Sequence, residues 1–84
     1  MSDFCVYIIY SETRDRFYVG SCEDLQKRIA DHNSGRSTYT KSGKPWTLMY
    51  SEQFSTRSGA VERERSIKKK KSRKFIEFLI SSVD

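Results

Sequence analysis

Phe4-Cys-Val-Tyr-Ile-Ile-Tyr10, followed after a polar turn at 11–15 by Arg16-Phe-Tyr-Val-Gly-Ser21, decides the fold. The first run is β-branched and aromatic, and its apolar side chains fall at both parities, the pattern of a strand covered on both faces. It is read as a central strand. The second run follows so closely that the two are expected to form an antiparallel hairpin. Gly20 lets the backbone come close to whatever binds beside it.

Working outward, Ser21 with Asp24 three residues later has the form of a capping box, and Asn33-Ser-Gly35 is a stop signal. One helix is therefore predicted over roughly 22–33. Leu25 and Ile29 define its buried stripe, and Arg28 and His32 extend the same face. Residues 36–45 are polar, contain Gly43 and Pro45, and read as a loop before a third strand over 46–54. Ser55 or Thr56 can cap a second helix near 57–70, on which Ala60, Val61, Glu64 and Ile67 share one face. A carboxylate thus occupies a position where an aliphatic side chain would be expected. Ser72 can open a last short helix that packs through Phe75, Ile76 and Leu79. Three strands and about three helices in one chain of 84 residues make an α+β domain over 1–84, with volume for a single hydrophobic core.

Charge is distributed unevenly. The net charge is +5, yet residues 57–74 hold nine of the sixteen Lys and Arg side chains against Glu62 and Glu64. Such a segment either binds a polyanion, because releasing counterions from phosphates supplies most nonspecific nucleic-acid affinity, or is a solvated helix face. Lys68, Lys69, Lys70, Lys71, Arg73 and Lys74 are its candidate nucleic-acid ligands. Cys5 and Cys22 lack the close spacing of a zinc site and are too few for a disulfide framework. No basic leader followed by an apolar run opens the chain, and no run approaches the roughly 20 apolar residues that cross a bilayer. A cytoplasmic protein with no membrane association is expected.

Several polar residues are candidates for chemistry, and each also has a plain structural reading. Tyr7 and Tyr18 fit half-buried strand aromatics. Arg28 fits a snorkelling surface residue, and His32 a charge near a helix C-terminus. Glu64 is harder to explain structurally, since an ionised carboxylate on a buried stripe is costly unless a cation or donors satisfy it. Pairing with an arginine and binding of a metal ion both answer that need.

Taken in order, Cys5-Val-Tyr7, Tyr18-Val-Gly20, Asp24-Leu-x-x-Arg28-x-x-x-His32-Asn33 and Glu64-x-x-Ile67-Lys68 resemble the GIY-YIG nuclease family over nearly the whole chain. The resemblance is closest to small stand-alone bacterial members with Tyr-Thr and Pro-Trp-x-Leu-x-Tyr, here Tyr39-Thr40 and Pro45-Trp46-Thr-Leu-Met-Tyr50. It implies a small three-stranded antiparallel sheet with the two tyrosines on adjacent strands, flanked by helices that bring up Arg28, His32 and Glu64. It also implies hydrolysis of a DNA phosphodiester with one Mg²⁺ or Mn²⁺ ion. Glu64 would be the protein ligand, since such an ion takes its remaining ligands from water and phosphate. Arg28 would stabilise the nonbridging oxygens, Tyr7 would activate water with Tyr18 orienting it, and His32 would bond the tyrosine or the phosphate.

The sequence departs from the family pattern in three respects. Cys5 replaces the first glycine and Ile8 follows the tyrosine, Ser21 stands where excision-repair members have lysine, and no asparagine follows the glutamate helix. Structured or branched DNA is the expected partner, in repair or recombination, with a protein partner able to supply specificity. The rival readings are a nucleic-acid-binding module that kept the fold without cleavage and a subunit that acts only with its partner.

Overall fold

The computed structural model describes residues 4–82. Strand β1 (Phe4–Ser11) lies between β2 (Arg16–Cys22) and β3 (Trp46–Phe54), antiparallel to both. The expected hairpin forms with Tyr7 opposite Gly20 and Ile9 opposite Tyr18. A register shift between Ile8 and Ile9 marks the pairing with β3. Helices α1 (Leu25–Ser34), α2 (Arg57–Lys70) and α3 (Arg73–Ser81) complete an α+β fold, and one 3-10 turn, Lys41–Gly43, lies in the loop before β3.

The two covered faces of β1 explain why residues 5–9 had to be apolar at both parities. Val6 and Ile8 point to one side, where Val19, Ala60, Ile67 and Leu79 close a core lined by Phe75, Ile76 and Ile80. Cys5, Tyr7 and Ile9 point to the other, where they meet Cys22 and Trp46 beneath Leu25 and Ile29 of α1. Each face thus removes apolar area from water, at about 25 cal/mol per Å². The cysteines are free thiols in contact at 3.5 Å, and burial pushes the Cys22 thiol up to about 12.

Capping side chains set the helix starts. Asp24, Thr56 and Ser72 accept the amides of Lys27, Gly59 and Phe75 at 3.1, 3.0 and 3.1 Å. The start of α1 differs from the sequence expectation. Ser21 and Cys22 remain in β2, paired with Val6 and Cys5, so Asp24 is the cap itself rather than the third residue of a capping box. The helix ends at Gly35, whose φ of 84° suits a residue without Cβ. Among the described residues, no helix is long and apolar enough to cross a membrane.

Candidate active site

β2 is an edge strand, and the candidate side chains gather around it from both faces of the sheet. On the α1 side, the Tyr7 ring crosses the edge at Gly20, where an added Cβ would stand 2.5 Å from Tyr7 Oη. Only a residue without a side chain fits there. Tyr18, two positions earlier on the same strand, brings its ring centroid within 6.4 Å of that of Tyr7.

His32 anchors Tyr7. It is 1% exposed, Nε2 lies 2.9 Å from Tyr7 Oη, and Nδ1 lies 2.6 Å from Thr40 Oγ1. Thr40 is held in turn, its carbonyl accepting the Trp46 indole N–H at 2.8 Å. Asn33 locks the same corner by accepting the Trp46 amide and donating to the Trp46 carbonyl. The reading of His32 as a helix-end charge is therefore replaced. Burial, and then the nearby Arg28 charge, lower its pKa, so the imidazole is neutral near pH 7 and keeps one ring nitrogen as an acceptor.

Burial also holds the Tyr7 phenol well above its ordinary pKa, the Tyr18 side chain reinforces this, and Arg28 opposes it. Tyr7 therefore keeps its proton at neutral pH. With the Nδ1-protonated tautomer of His32 donating to Thr40, that proton points at a lone pair on Nε2.

Glu64 approaches from the α2 side. Its Oε1 accepts the Ser21 hydroxyl at 2.6 Å and its Oε2 accepts the Lys68 ammonium at 2.6 Å. This carboxylate is satisfied, and by Lys68 rather than by an arginine. The Glu64 side chain is 20% exposed, and Lys68 Nζ also stands 5.7 Å from the centre of the Tyr18 ring. Arg28 is exposed and lines a groove of about 840 Å³ with Cys22, Asp24, Ser51 and Gln53. Its guanidinium makes no hydrogen bond or ion pair among the described residues, which leaves its planar fork available to an anion.

A family profile described as the GIY-YIG catalytic domain matches residues 3–76. The chain belongs to this family. Among its relatives, a UPF0213 protein of Streptococcus pneumoniae is 34% identical over 98% of this chain and 85% of its own length. A UPF0213 protein of Halobacterium salinarum is 42% identical over 75% of this chain and 82% of its own. The solution NMR structure of a UPF0213 protein from Bacillus halodurans aligns with a TM-score of 0.60 at 30% identity, covering 99% of this chain and 86% of that one. Tyr7, Tyr18, Arg28, His32 and Glu64, the residues on which the sequence resemblance rests, lie around β2.

The basic segment is more heterogeneous than its sequence suggests. Arg63 binds Glu52 through two parallel bonds of 3.0 Å, and Arg73 reaches Asp15 at 2.8 Å and Glu77 at 3.2 Å. Lys70 lies over the Phe75 ring at 5.2 Å, and Lys68 serves Glu64. Lys69, Lys71 and Lys74 are exposed and have no ion-pair partner among the described residues. Lys68, Lys71 and Arg73 line a second cavity of about 490 Å³ together with Tyr18.

Thr40, Asn33 and Ser21 take part in the site although sequence reasoning gave them no chemical role. The Tyr-Thr pair at 39–40 was the available signal for the first of them.

Proposed function

We propose that the protein is a divalent-metal-dependent endonuclease that hydrolyses a phosphodiester of structured or branched DNA in repair or recombination. The observation that carries this reading is the chain Tyr7 to His32 to Thr40, at 2.9 and 2.6 Å, beside an unpaired Arg28 and the Glu64 carboxylate. A buried phenol bonded to a neutral imidazole suits proton transfer more than it suits packing.

Tyr7 Oη is the group that receives a proton from the attacking water. As it does so, its own proton passes to His32 Nε2, so no free tyrosinate is needed despite the raised pKa. Arg28 grips two nonbridging oxygens of the phosphate, and Tyr18 orients the water or the phosphate. The phosphate's negative charge offsets the cost of the imidazolium that forms.

Among the described residues no group of three or more His, Cys, Asp and Glu side chains is placed to hold a metal ion. Glu64 would then be the one protein carboxylate on a Mg²⁺ or Mn²⁺ ion, and this fits a hard cation that keeps most of its water. The Lys68 ammonium at 2.6 Å occupies Oε2 and would have to give way to the ion, which its half-exposed side chain allows. The ion would stabilise the leaving 3′ oxygen. Lys68, Lys69, Lys70, Lys71, Arg73 and Lys74 are proposed as the phosphate-contacting surface, with Lys69, Lys71 and Lys74 the freest of them.

One observation favours a second reading, a binding module without cleavage: Lys68 neutralises Glu64 internally. Duplex, nicked, flapped and branched DNA and single-stranded RNA, each incubated with Mg²⁺, Mn²⁺ or EDTA, decide between the two. Cleavage of a branched or flapped substrate that EDTA abolishes supports the nuclease. Binding without cleavage under every metal condition supports the module.

A further inference from the structure

The loop between α1 and β3 presents one aromatic ring to water on a fixed backbone. Tyr39 is 89% exposed, and its side chain makes no hydrogen bond or ring contact among the described residues. The next residue, Thr40, is 1% exposed and bonded through both its hydroxyl and its carbonyl. Three residues on, Gly43 lies so close to the Trp46 indole that an added Cβ would stand 2.5 Å from Cζ2. The loop is thus pinned on the C-terminal side of Tyr39, and the ring's exposure is a property of an ordered segment.

The charged side chains of the loop that carries this ring share one sign. Residues 35–45 contain Arg36, Lys41 and Lys44 and no carboxylate. Arg36 stands 3.6 Å from Asp31, while the ammonium groups of Lys41 and Lys44 have no ion-pair partner among the described residues. A free π-face among cations matches a polymer that alternates flat bases with phosphates, and stacking on such a ring is tolerant of base identity. In an intact duplex both faces of an internal base are already covered by its neighbours.

We propose that Tyr39 is a stacking site for an unpaired nucleobase of the DNA substrate, with Lys41 and Lys44 engaging the adjoining phosphates. The proposal rests on the nuclease reading for the identity of the polymer and adds the feature selected, a base outside the helical stack. Tyr39 adjoins Thr40, whose hydroxyl hydrogen-bonds His32 Nδ1 at 2.6 Å, and His32 Nε2 in turn lies 2.9 Å from Tyr7 Oη, so the site sits on the loop that supports the Tyr7 hydroxyl. A strand docked there through an unpaired base delivers a neighbouring phosphodiester to the reactive hydroxyl, so cleavage falls near a junction between paired and unpaired DNA.

Fluorescence anisotropy in EDTA, with the full chain and no turnover, tests this on a flapped DNA and on a blunt duplex of equal length. A 2-aminopurine in the flap reports stacking by its quenching. Tyr39→Ala should weaken flap binding by about tenfold and abolish the quenching, leave duplex binding unchanged, and fold normally because the residue is 89% exposed. Tyr39→Phe should bind the flap as the wild type does. Equal flap affinity in wild type and Tyr39→Ala, or a Phe variant as weak as the Ala variant, overturns the stacking site and leaves the nuclease reading standing. A wild type that binds neither DNA overturns both.

Discussion

The Tyr7 ring crosses the backbone of Gly20 on the neighbouring strand, so that a Cβ on Gly20 would stand 2.5 Å from Oη and 2.6 Å from Cζ of Tyr7. Gly20→Ala therefore displaces the ring and its hydroxyl from His32 Nε2, now 2.9 Å away. The overpacking costs about 1–3 kcal/mol by thermal melting. Cleavage should fall far more than that stability loss explains. A fully active Ala variant would show that the position of the Tyr7 hydroxyl is unimportant.

His32 is the chain's one histidine, and its pKa is held below the ordinary 6.5 by burial and by Arg28. Below that pH the unfolded chain takes up a proton that the folded state refuses. The stability this residue contributes is present above the unfolded pKa and is lost as the pH falls through it toward the depressed folded value. Urea denaturation between about pH 7.5 and 5 should show a slope of up to ~1.4 kcal/mol per pH unit. His32→Gln should flatten it, and an unchanged slope in that variant assigns the dependence elsewhere.

The basic residues divide into structural and binding groups. Arg63→Ala breaks a two-bond pair with Glu52 and should lower stability by about 1 kcal/mol while leaving the salt dependence of DNA affinity alone. Alanine at Lys69, Lys71 and Lys74 should do the reverse, flattening the slope of log affinity against log salt by roughly 0.9 per lost phosphate contact. An unchanged slope would make these lysines a solvated face.

Arg28 has no protein partner among the described residues to explain its place. Arg28→Lys keeps the charge and loses the planar fork, so single-turnover cleavage should drop about 100-fold, almost as in Arg28→Ala, with melting unchanged. Near-normal cleavage by the lysine variant would reduce Arg28 to a general electrostatic role.

Much of this architecture is legible in the sequence because it depends on short-range pattern. Both-parity apolarity identifies β1 as central, and side-chain caps mark α2 and α3 at Thr56 and Ser72. The start of α1 is misread because Ser21 has the right residue type for a cap, while the ladder to β1 holds it in a strand. Its hydroxyl serves Glu64 instead. The bonds that Thr40 and Asn33 make are not legible locally, since their partners, His32 and Trp46, are met only in three dimensions. The Glu64 and Lys68 pair, by contrast, is a plain i, i+4 spacing on a helix.

Glu64 carries the claim of metal-dependent catalysis, and single-turnover cleavage of flapped DNA by wild type and Glu64→Gln tests it most directly. Wild-type cleavage should require Mg²⁺ or Mn²⁺ and vanish in EDTA, and the variant should be at least about 100-fold slower. Its stability should change by only ~1 kcal/mol or less, because the Lys68 partner is half exposed and returns to water. A Glu64→Gln protein that cuts as fast as the wild type, with the same metal requirement, would contradict the account.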